Sequence, residues 1–200
     1  MHHVYLKKED SFFINNTPVL GELFMVPGKV SIILGENGVG KSSFFQYLKL
    51  NQKDIFPKIK CNFTDQMRIN PVNEVHFENI LENLVDYKHE SISFFDEYLS
   101  ELKEFKERSL KNLSGGQNQI VKIFLSAYLG GDFFFFDEPL QYLDQKNRTL
   151  FKHYLKILKE KGKSICLVEH HFNLLEEYID YRFVLTKEVD RTELKEFCGN

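Results

Sequence analysis

A glycine-rich segment, GENGVGKSS at residues 35–43, has the residue types and spacing that bind phosphate. It fits the pattern G-x-x-x-x-G-K-[ST], in which glycines let backbone N–H groups turn inward around phosphate oxygens. Lys41 would reach the β- and γ-phosphates of a nucleotide, and Ser42 would offer its hydroxyl to Mg²⁺. The helix predicted after the loop favours the anion further through its N-terminus. Because a buried strand and a helix flank the segment, a chance glycine-rich turn is the weaker interpretation.

The loop residues that we expect to contact the nucleotide are Gly35, Asn37, Gly38, Gly40, Lys41, Ser42 and Ser43.

Two adjacent carboxylates, Asp137 and Glu138, follow the apolar run Phe133–Phe136. An apolar run without alternation is typical of a fully buried strand, and open α/β sheets bind ligands at the carboxyl ends of their strands. If this strand ends near the phosphate loop, Asp137 can hold Mg²⁺ and Glu138 can orient or deprotonate an attacking water. An Asp-Glu pair by itself usually just begins a loop, so this interpretation depends on the phosphate loop in the same chain.

A second glycine-containing motif, LSGGQ at residues 113–117, precedes a predicted helix and could form another anion site at a helix start. Taken alone, Ser-Gly-Gly is an ordinary flexible turn. The order of phosphate loop, helical insert, LSGGQ and apolar strand with DEP resembles the ATP-binding cassette (ABC) ATPases over nearly the whole chain. The resemblance implies a P-loop NTPase core that hydrolyses ATP with Mg²⁺.

Further residues are assigned by this resemblance. Gln66 matches the family's glutamine that reaches Mg²⁺ and the water, and His170 in LVEHH matches the switch histidine. Together with Glu138 they form the implied catalytic set. Asp144 in PLQYLD matches the aspartate of the family's D-loop. The implied Mg²⁺ ligands are Ser42, Gln66 and Asp137.

The resemblance also implies contacts to adenine and to a second subunit. Phe12 or Phe13 would stack on adenine, and two alignments that differ by one residue leave this choice open. In the family, the LSGGQ motif of one subunit closes over ATP bound to the other. The residues placed against the partner's nucleotide are Ser114, Gly115, Gly116 and Gln117.

Composition argues against several other classes of protein, although it leaves room for a local basic patch. The 200 residues are 42% hydrophobic and 28% charged, which suits one soluble globular domain. A net charge of −3 gives no overall electrostatic footprint for nucleic acid, so none is expected as a partner. The three cysteines, Cys61, Cys166 and Cys198, lack zinc or disulfide spacing and favour a reducing compartment. No membrane helix or signal peptide is predicted.

The elements that must position these residues alternate between strand and helix, which predicts an α/β fold with a mostly parallel sheet flanked by helices. We expect one domain over residues 1–200, with a small N-terminal antiparallel β-subdomain and an inserted helical subdomain at about 72–112. Strands are predicted at 4–6, 12–14, 28–35, 58–63, 133–136, 164–168 and, as the last one, 182–186, and helices at 42–50, 115–129, 143–161 and from 172.

The leading hypothesis is the ATPase subunit of an ABC transporter, cytoplasmic and peripheral on the inner face of the cell membrane. Its implied partners are membrane-spanning permease subunits and a second cassette, in an ATP-dependent homodimer or heterodimer. The alternative is a soluble ABC ATPase that drives iron–sulfur assembly, translation or DNA repair.

Overall fold

A computed structural model describes residues 3–6, 12–14, 17–65, 112–170, 172–188 and 191–197. Gln66, Cys198 and the helical insert predicted at about 72–112, apart from Asn112, lie outside the described residues. No helix in the described part of the chain combines the length and apolarity needed to cross a membrane.

Ten strands and four α-helices make up the described structure. The strands are β1 His3–Leu6, β2 Phe12–Ile14, β3 Thr17–Gly21, β4 Leu23–Met25, β5 Val30–Leu34, β6 Cys61–Thr64, β7 Phe133–Asp137, β8 Ser164–Val168, β9 Tyr181–Lys187 and β10 Thr192–Glu196. The α-helices are α1 Lys41–Leu50, α2 Gln52–Ile55, α3 Gly115–Leu129 and α4 Gln145–Glu160, and two short 3-10 helices cover Phe172–Leu174 and Glu176–Tyr178.

Eight of the strands form one sheet in the order β2-β3-β10-β9-β5-β8-β7-β6. The five strands from β9 to β6 are mutually parallel, and β10 joins them antiparallel to β9. β1 and β4 pair separately in an antiparallel ribbon. The predicted mostly parallel α/β sheet is therefore confirmed.

The central strands are continuous apolar segments because both of their faces are covered. All five residues of β7 and all five of β8 are buried. Phe133 and Phe135 pack edge-to-face or tilted against Phe56 of the segment after α2. On the other face, the ring of Phe136 meets Phe151 of α4 edge-to-face at 5.2 Å. Aromatic pairs on both faces of the strand thus fix the position at which it ends.

RFVLT, predicted as the last strand, is not the last. It belongs to β9, and β10 follows it and separates it from β3. β10 reads TELKE, in which only Thr192 and Leu194 are buried, and it has few β-branched or aromatic side chains. Its position comes from pairing with β9 and β3 on either side, a non-local cause that its own composition does not reveal.

The chain divides into two compact units. The first contains residues 1–65, 131–139 and 150–200, and the second contains residues 66–130 and 140–149. The phosphate loop and the two carboxylates belong to the first unit, and LSGGQ with the turn that reaches Asp144 belongs to the second.

Candidate active site

Three neighbouring parallel strands of the first unit end at the same edge of the sheet. The order β5-β8-β7 places one strand between the phosphate loop after β5 and the carboxylates after β7. Register aligns Ile33, Val168 and Asp137 across these strands. The three segments that follow these strands therefore begin at the same edge of the sheet and at the same height. They are the phosphate loop, the Glu169–His170 pair and the Asp137–Glu138 pair.

The phosphate loop enters helix α1 without a side-chain cap. Gly40 is the N-cap residue in the left-handed conformation, with φ of 105°, and no acidic residue lies in the first turn. The first N–H groups of an α-helix have no acceptor within the helix, so they are available to an anion. At the start of the loop, a Cβ on Gly35 would lie 2.5 Å from the carbonyl oxygen of Leu185. Close approach of β9 thus requires glycine there.

Lys41 is held inside the loop that it belongs to. Its Nζ donates to the carbonyl oxygens of Gly35 at 2.7 Å and Glu36 at 2.9 Å. Burial lowers the pKa of Lys41 from its ordinary value, and the negative charges of Glu138 and Asp137 partly oppose that shift. The ammonium group therefore already lies within the electrostatic reach of both carboxylates.

The two carboxylates differ in their environments. Asp137 is the last residue of β7 and is 2% exposed, whereas Glu138 is partly exposed just beyond the strand. Glu138 has a φ of 47°, a left-handed conformation that is uncommon for a residue with a side chain. Its N–H donates to the carbonyl oxygen of Val168 at 2.8 Å, which holds this backbone against β8.

His170 and Glu138 form a direct pair. Nε2 of His170 lies 3.0 Å from Oε1 of Glu138. The sequence did not single out Glu169, which is buried and accepts the N–H of His170 on Oε2 at 2.9 Å. The motif LVEHH contained the signal, because a carboxylate directly after a buried strand must find a donor nearby.

The oxygen ligands at this edge suit Mg²⁺ held jointly with a nucleotide. Ser42 begins α1 after Lys41 and exposes its side chain, and Asp137 supplies a carboxylate at the end of β7. Within the described ranges, no group of three or more His, Cys, Asp or Glu side chains could form a metal site by itself. Mg²⁺ commonly binds through one or two protein oxygens together with substrate phosphates, so this ligand set fits.

A cavity of about 680 Å³ opens beside the phosphate loop. Its lining consists of residues 35–39 of the loop and 184–187 of β9. Phe12 and Phe13 lie on β2, which pairs with β3 at the far end of the sheet, with Phe12 opposite Val19. The backbone places both residues three strands from β9, and the choice between them stays a prediction.

In the second unit, the LSGGQ motif forms the start of helix α3. Ser114 is the N-cap, with Oγ accepting the N–H of Gln117, and the Gln117 side chain accepts the N–H of Ser114. This capping box explains the spacing of serine and glutamine. Asp144 similarly accepts two hydrogen bonds from Asn147 on Oδ1, one from the backbone at 2.8 Å and one from the side chain at 2.9 Å.

Comparison with known families identifies the same family that the sequence motifs resemble. The family model described as "ABC transporter" matches residues 22–141, which is more than half of the chain.

The individual relatives include both a translation initiation factor and an import ATP-binding protein. Translation initiation factor RLI1 of Chaetomium thermophilum is 27% identical over 164 residues, or 78% of this chain, but the match covers only 26% of RLI1. The petrobactin import ATP-binding protein YclP of Bacillus subtilis is 26% identical over 179 residues, with 77% of this chain and 71% of YclP covered. This chain thus corresponds to about a quarter of one relative and most of the other.

Among solved structures, a metal-chelate type ABC transporter in an inward-facing conformation superposes with a TM-score of 0.69. The match covers 98% of this chain and 82% of that one at 18% identity, a level at which the likeness concerns the fold.

Proposed function

The chain belongs to the ABC family of ATPase cassettes, and on that premise we propose that it binds and hydrolyses ATP as one subunit of an ATP-dependent dimer. The observation that carries the proposal is the convergence of the phosphate loop with the Glu138–His170 pair at one sheet edge. Nε2 of His170 and Oε1 of Glu138 are 3.0 Å apart, and the charges of Glu138 and Asp137 both act on Lys41.

In this proposal the triphosphate lies against the N–H groups of the loop and of the first turn of α1. Lys41 exchanges its two loop carbonyl acceptors for phosphate oxygens as the nucleotide enters. The cavity beside residues 184–187 accepts the part of the nucleotide that extends from the loop.

Glu138 orients the attacking water and takes up its proton as the water oxygen bonds to the γ-phosphorus and the bond to the β–γ bridging oxygen breaks. His170 holds the Glu138 carboxylate and can donate to the γ-phosphate, and Glu169 fixes the backbone of His170. Mg²⁺, when bound by Ser42, Asp137 and Gln66, would neutralise charge on the β- and γ-phosphate oxygens.

The second unit supplies a different part of the proposal. Ser114 and the two glycines after it start a fifteen-residue helix, and they would close over the γ-phosphate of ATP bound to a partner subunit. One chain carries both halves of such a site, so a symmetric homodimer would contain two complete sites. A heterodimer with another cassette is the corresponding asymmetric assembly.

For the biological role, we propose a transporter subunit that works on the inner face of the cell membrane with separate permease subunits. The similarity to YclP over 71% of its length supports this role. A soluble role in translation is the second candidate. It is supported by the 27% identity to RLI1, which extends over 78% of this chain. Both roles use the same hydrolytic site and differ in the partner.

The deciding experiment for hydrolysis is Glu138→Gln. It keeps the shape of the side chain but removes the proton acceptor, so hydrolysis should fall by about a hundredfold or more while ATP still binds. Size-exclusion chromatography should then show a dimer with ATP and a monomer without it. Turnover at the wild-type rate would contradict the role of Glu138.

The same variant separates the two biological roles. Tagged Glu138→Gln protein loaded with ATP can be recovered from detergent-solubilised native membranes and, in parallel, from the soluble fraction. Co-purification of a polytopic membrane protein supports transport, whereas co-purification of ribosomes supports the translation role.

A further inference from the structure

Tyr142 occupies a turn position that normally requires glycine or asparagine. The N–H of Leu143 donates to the carbonyl oxygen of Leu140 at 3.3 Å, which closes a four-residue turn with Tyr142 third. Its φ is 63°, in the left-handed region, and the residue is 70% exposed. A bulky side chain in this conformation is strained, and such strain is retained where something else depends on the residue.

The surroundings of Tyr142 show what depends on it. A Cβ on Gly115 would lie 3.2 Å from Cγ and 3.4 Å from Cδ2 of the Tyr142 ring. A Cβ on Gly116 would lie 2.8 Å from the Tyr142 carbonyl oxygen. Both glycines of LSGGQ are thus in close contact with this one residue, the first with its ring and the second with its backbone.

Both ends of the turn are buried. Leu140 and Leu143 are 3% and 4% exposed, and Asp144 caps the start of α4 through Asn147. On the other side, Ser114 and Gln117 hold the start of α3 in its capping box. Tyr142 therefore lies between two capped helix starts. Its left-handed backbone is the strained conformation that accompanies the contact with Gly115 and Gly116.

We propose that Tyr142 is a positioning residue. It fixes the turn of residues 140–143, which leads to Asp144, against the start of α3 at Ser114–Gly116, so that both segments meet the nucleotide of the partner subunit together. The inference rests on the proposed function, in which these segments complete the partner's site. Glycine at 115 and 116 is then required for two reasons. A Cβ at either position would approach the phosphate, and it would also displace the turn of residues 140–143.

A double-mutant cycle in the nucleotide-free chain tests the contact itself. The Tm change caused by Gly115→Ala should be more favourable in the Tyr142→Ala background than in the wild type, because the Cγ and Cδ2 atoms are then gone. Gly116→Ala is the matched control, since its obstacle is a main-chain oxygen that Tyr142→Ala keeps. Equal Tm changes for Gly115→Ala with and without the Tyr142 ring would overturn the contact.

A second measurement tests positioning rather than stability. In the Glu138→Gln background, Tyr142→Ala should weaken the ATP-dependent dimer by about tenfold, because a misplaced helix start meets the nucleotide poorly. Tyr142→Phe keeps the ring and should restore the dimer. Binding of a fluorescent ATP analogue to the monomer should stay within about twofold in both variants, because the phosphate loop lies in the other unit.

The outcomes separate this inference from the proposed function. A wild-type dimer for Tyr142→Ala, or equal losses for the Ala and Phe variants, would overturn the positioning role. Failure of Glu138→Gln itself to dimerise with ATP would overturn the dimer and with it this role, whereas the Tm cycle would still report on the contact.

Discussion

At the scale of single residues, the same strand end produces two carboxylates in unlike surroundings. Asp137 closes a fully buried strand, and Glu138 turns out of it in a left-handed conformation with φ of 47°. That turn carries the Glu138 carboxylate to His170 while its N–H stays bonded to Val168. Backbone strain of this kind costs about 1–3 kcal/mol, which is typical of functional positions.

Lys41 provides a prediction at this scale. Lys41→Ala removes the cation that the loop holds through Gly35 and Glu36, so ATP affinity should fall by about tenfold or more. Isothermal titration calorimetry measures the affinity directly. Lys53→Ala changes an exposed lysine on α2 and should leave the affinity unaltered. Equal losses for the two variants would indicate a general charge effect rather than a role for Lys41.

At the scale of elements, β9 packs directly against the start of the phosphate loop. Gly35→Ala would place a methyl group 2.5 Å from the Leu185 carbonyl oxygen, so the loop or the strand must shift. We expect a loss of about 2–3 kcal/mol in the free energy of unfolding, together with weaker ATP binding.

Gly162→Ala is the control for that prediction. Gly162 also has a positive φ, 69°, but among the described residues other than its two chain neighbours no atom lies within 4 Å of the position that a Cβ would take there. The variant should lose only about 1 kcal/mol and bind ATP normally. Denaturant unfolding and calorimetry on both variants measure the difference, and equal effects would contradict the role of β9.

Asp180 ties the start of β5 to α4. Its carboxylate accepts from the Val30 N–H at 2.9 Å and pairs with Lys29 at 2.9 Å and Lys159 at 2.7 Å. Burial alone would raise the pKa of Asp180, but the hydrogen bonds from Lys159, Val30 and Lys29 outweigh it and lower this pKa below its ordinary value of 3.8.

This lowered pKa gives a pH dependence with a definite sign. The carboxylate stabilises the fold fully above its unfolded-state pKa, and the contribution disappears as pH falls through the lower folded-state pKa. Asp180→Asn should therefore lose about 1 kcal/mol at pH 6, with the difference shrinking below pH of about 4. Urea unfolding of both proteins across this range checks it, and a difference that grows on acidification would contradict the assignment.

At the scale of the whole molecule, the proposed dimer makes a prediction that no single-subunit mechanism shares. Lys41→Ala disables one half of a composite site and Ser114→Arg the other half, so each variant alone should be nearly inactive. In an equimolar mixture, random pairing gives half heterodimers, each with one intact site, and about a quarter of the wild-type ATPase rate should return. A mixture no more active than its components would contradict sites shared between subunits.

From the sequence alone we predict the chemistry of this protein, and the class of its fold that the sequence predicts is confirmed by the sheet. The phosphate loop, the DEP carboxylates and LSGGQ have fixed local spacings, and the α3 helix at 115–129 and the strand at 164–168 follow from local patterns. Local signals of this kind depend on neighbours in the chain, so they can be read without the tertiary structure.

How Glu138 and His170 come together at the sheet edge depends on the tertiary structure. The insertion of β8 between β5 and β7 brings His170 to Glu138, and the pairing of β10 with β3 and β9 depends on distant strands. The left-handed backbone of Glu138 and Tyr142, and the carbonyl of Leu185 beneath Gly35, likewise follow from packing. These features depend on contacts between residues far apart in the chain, which residue spacing alone does not specify.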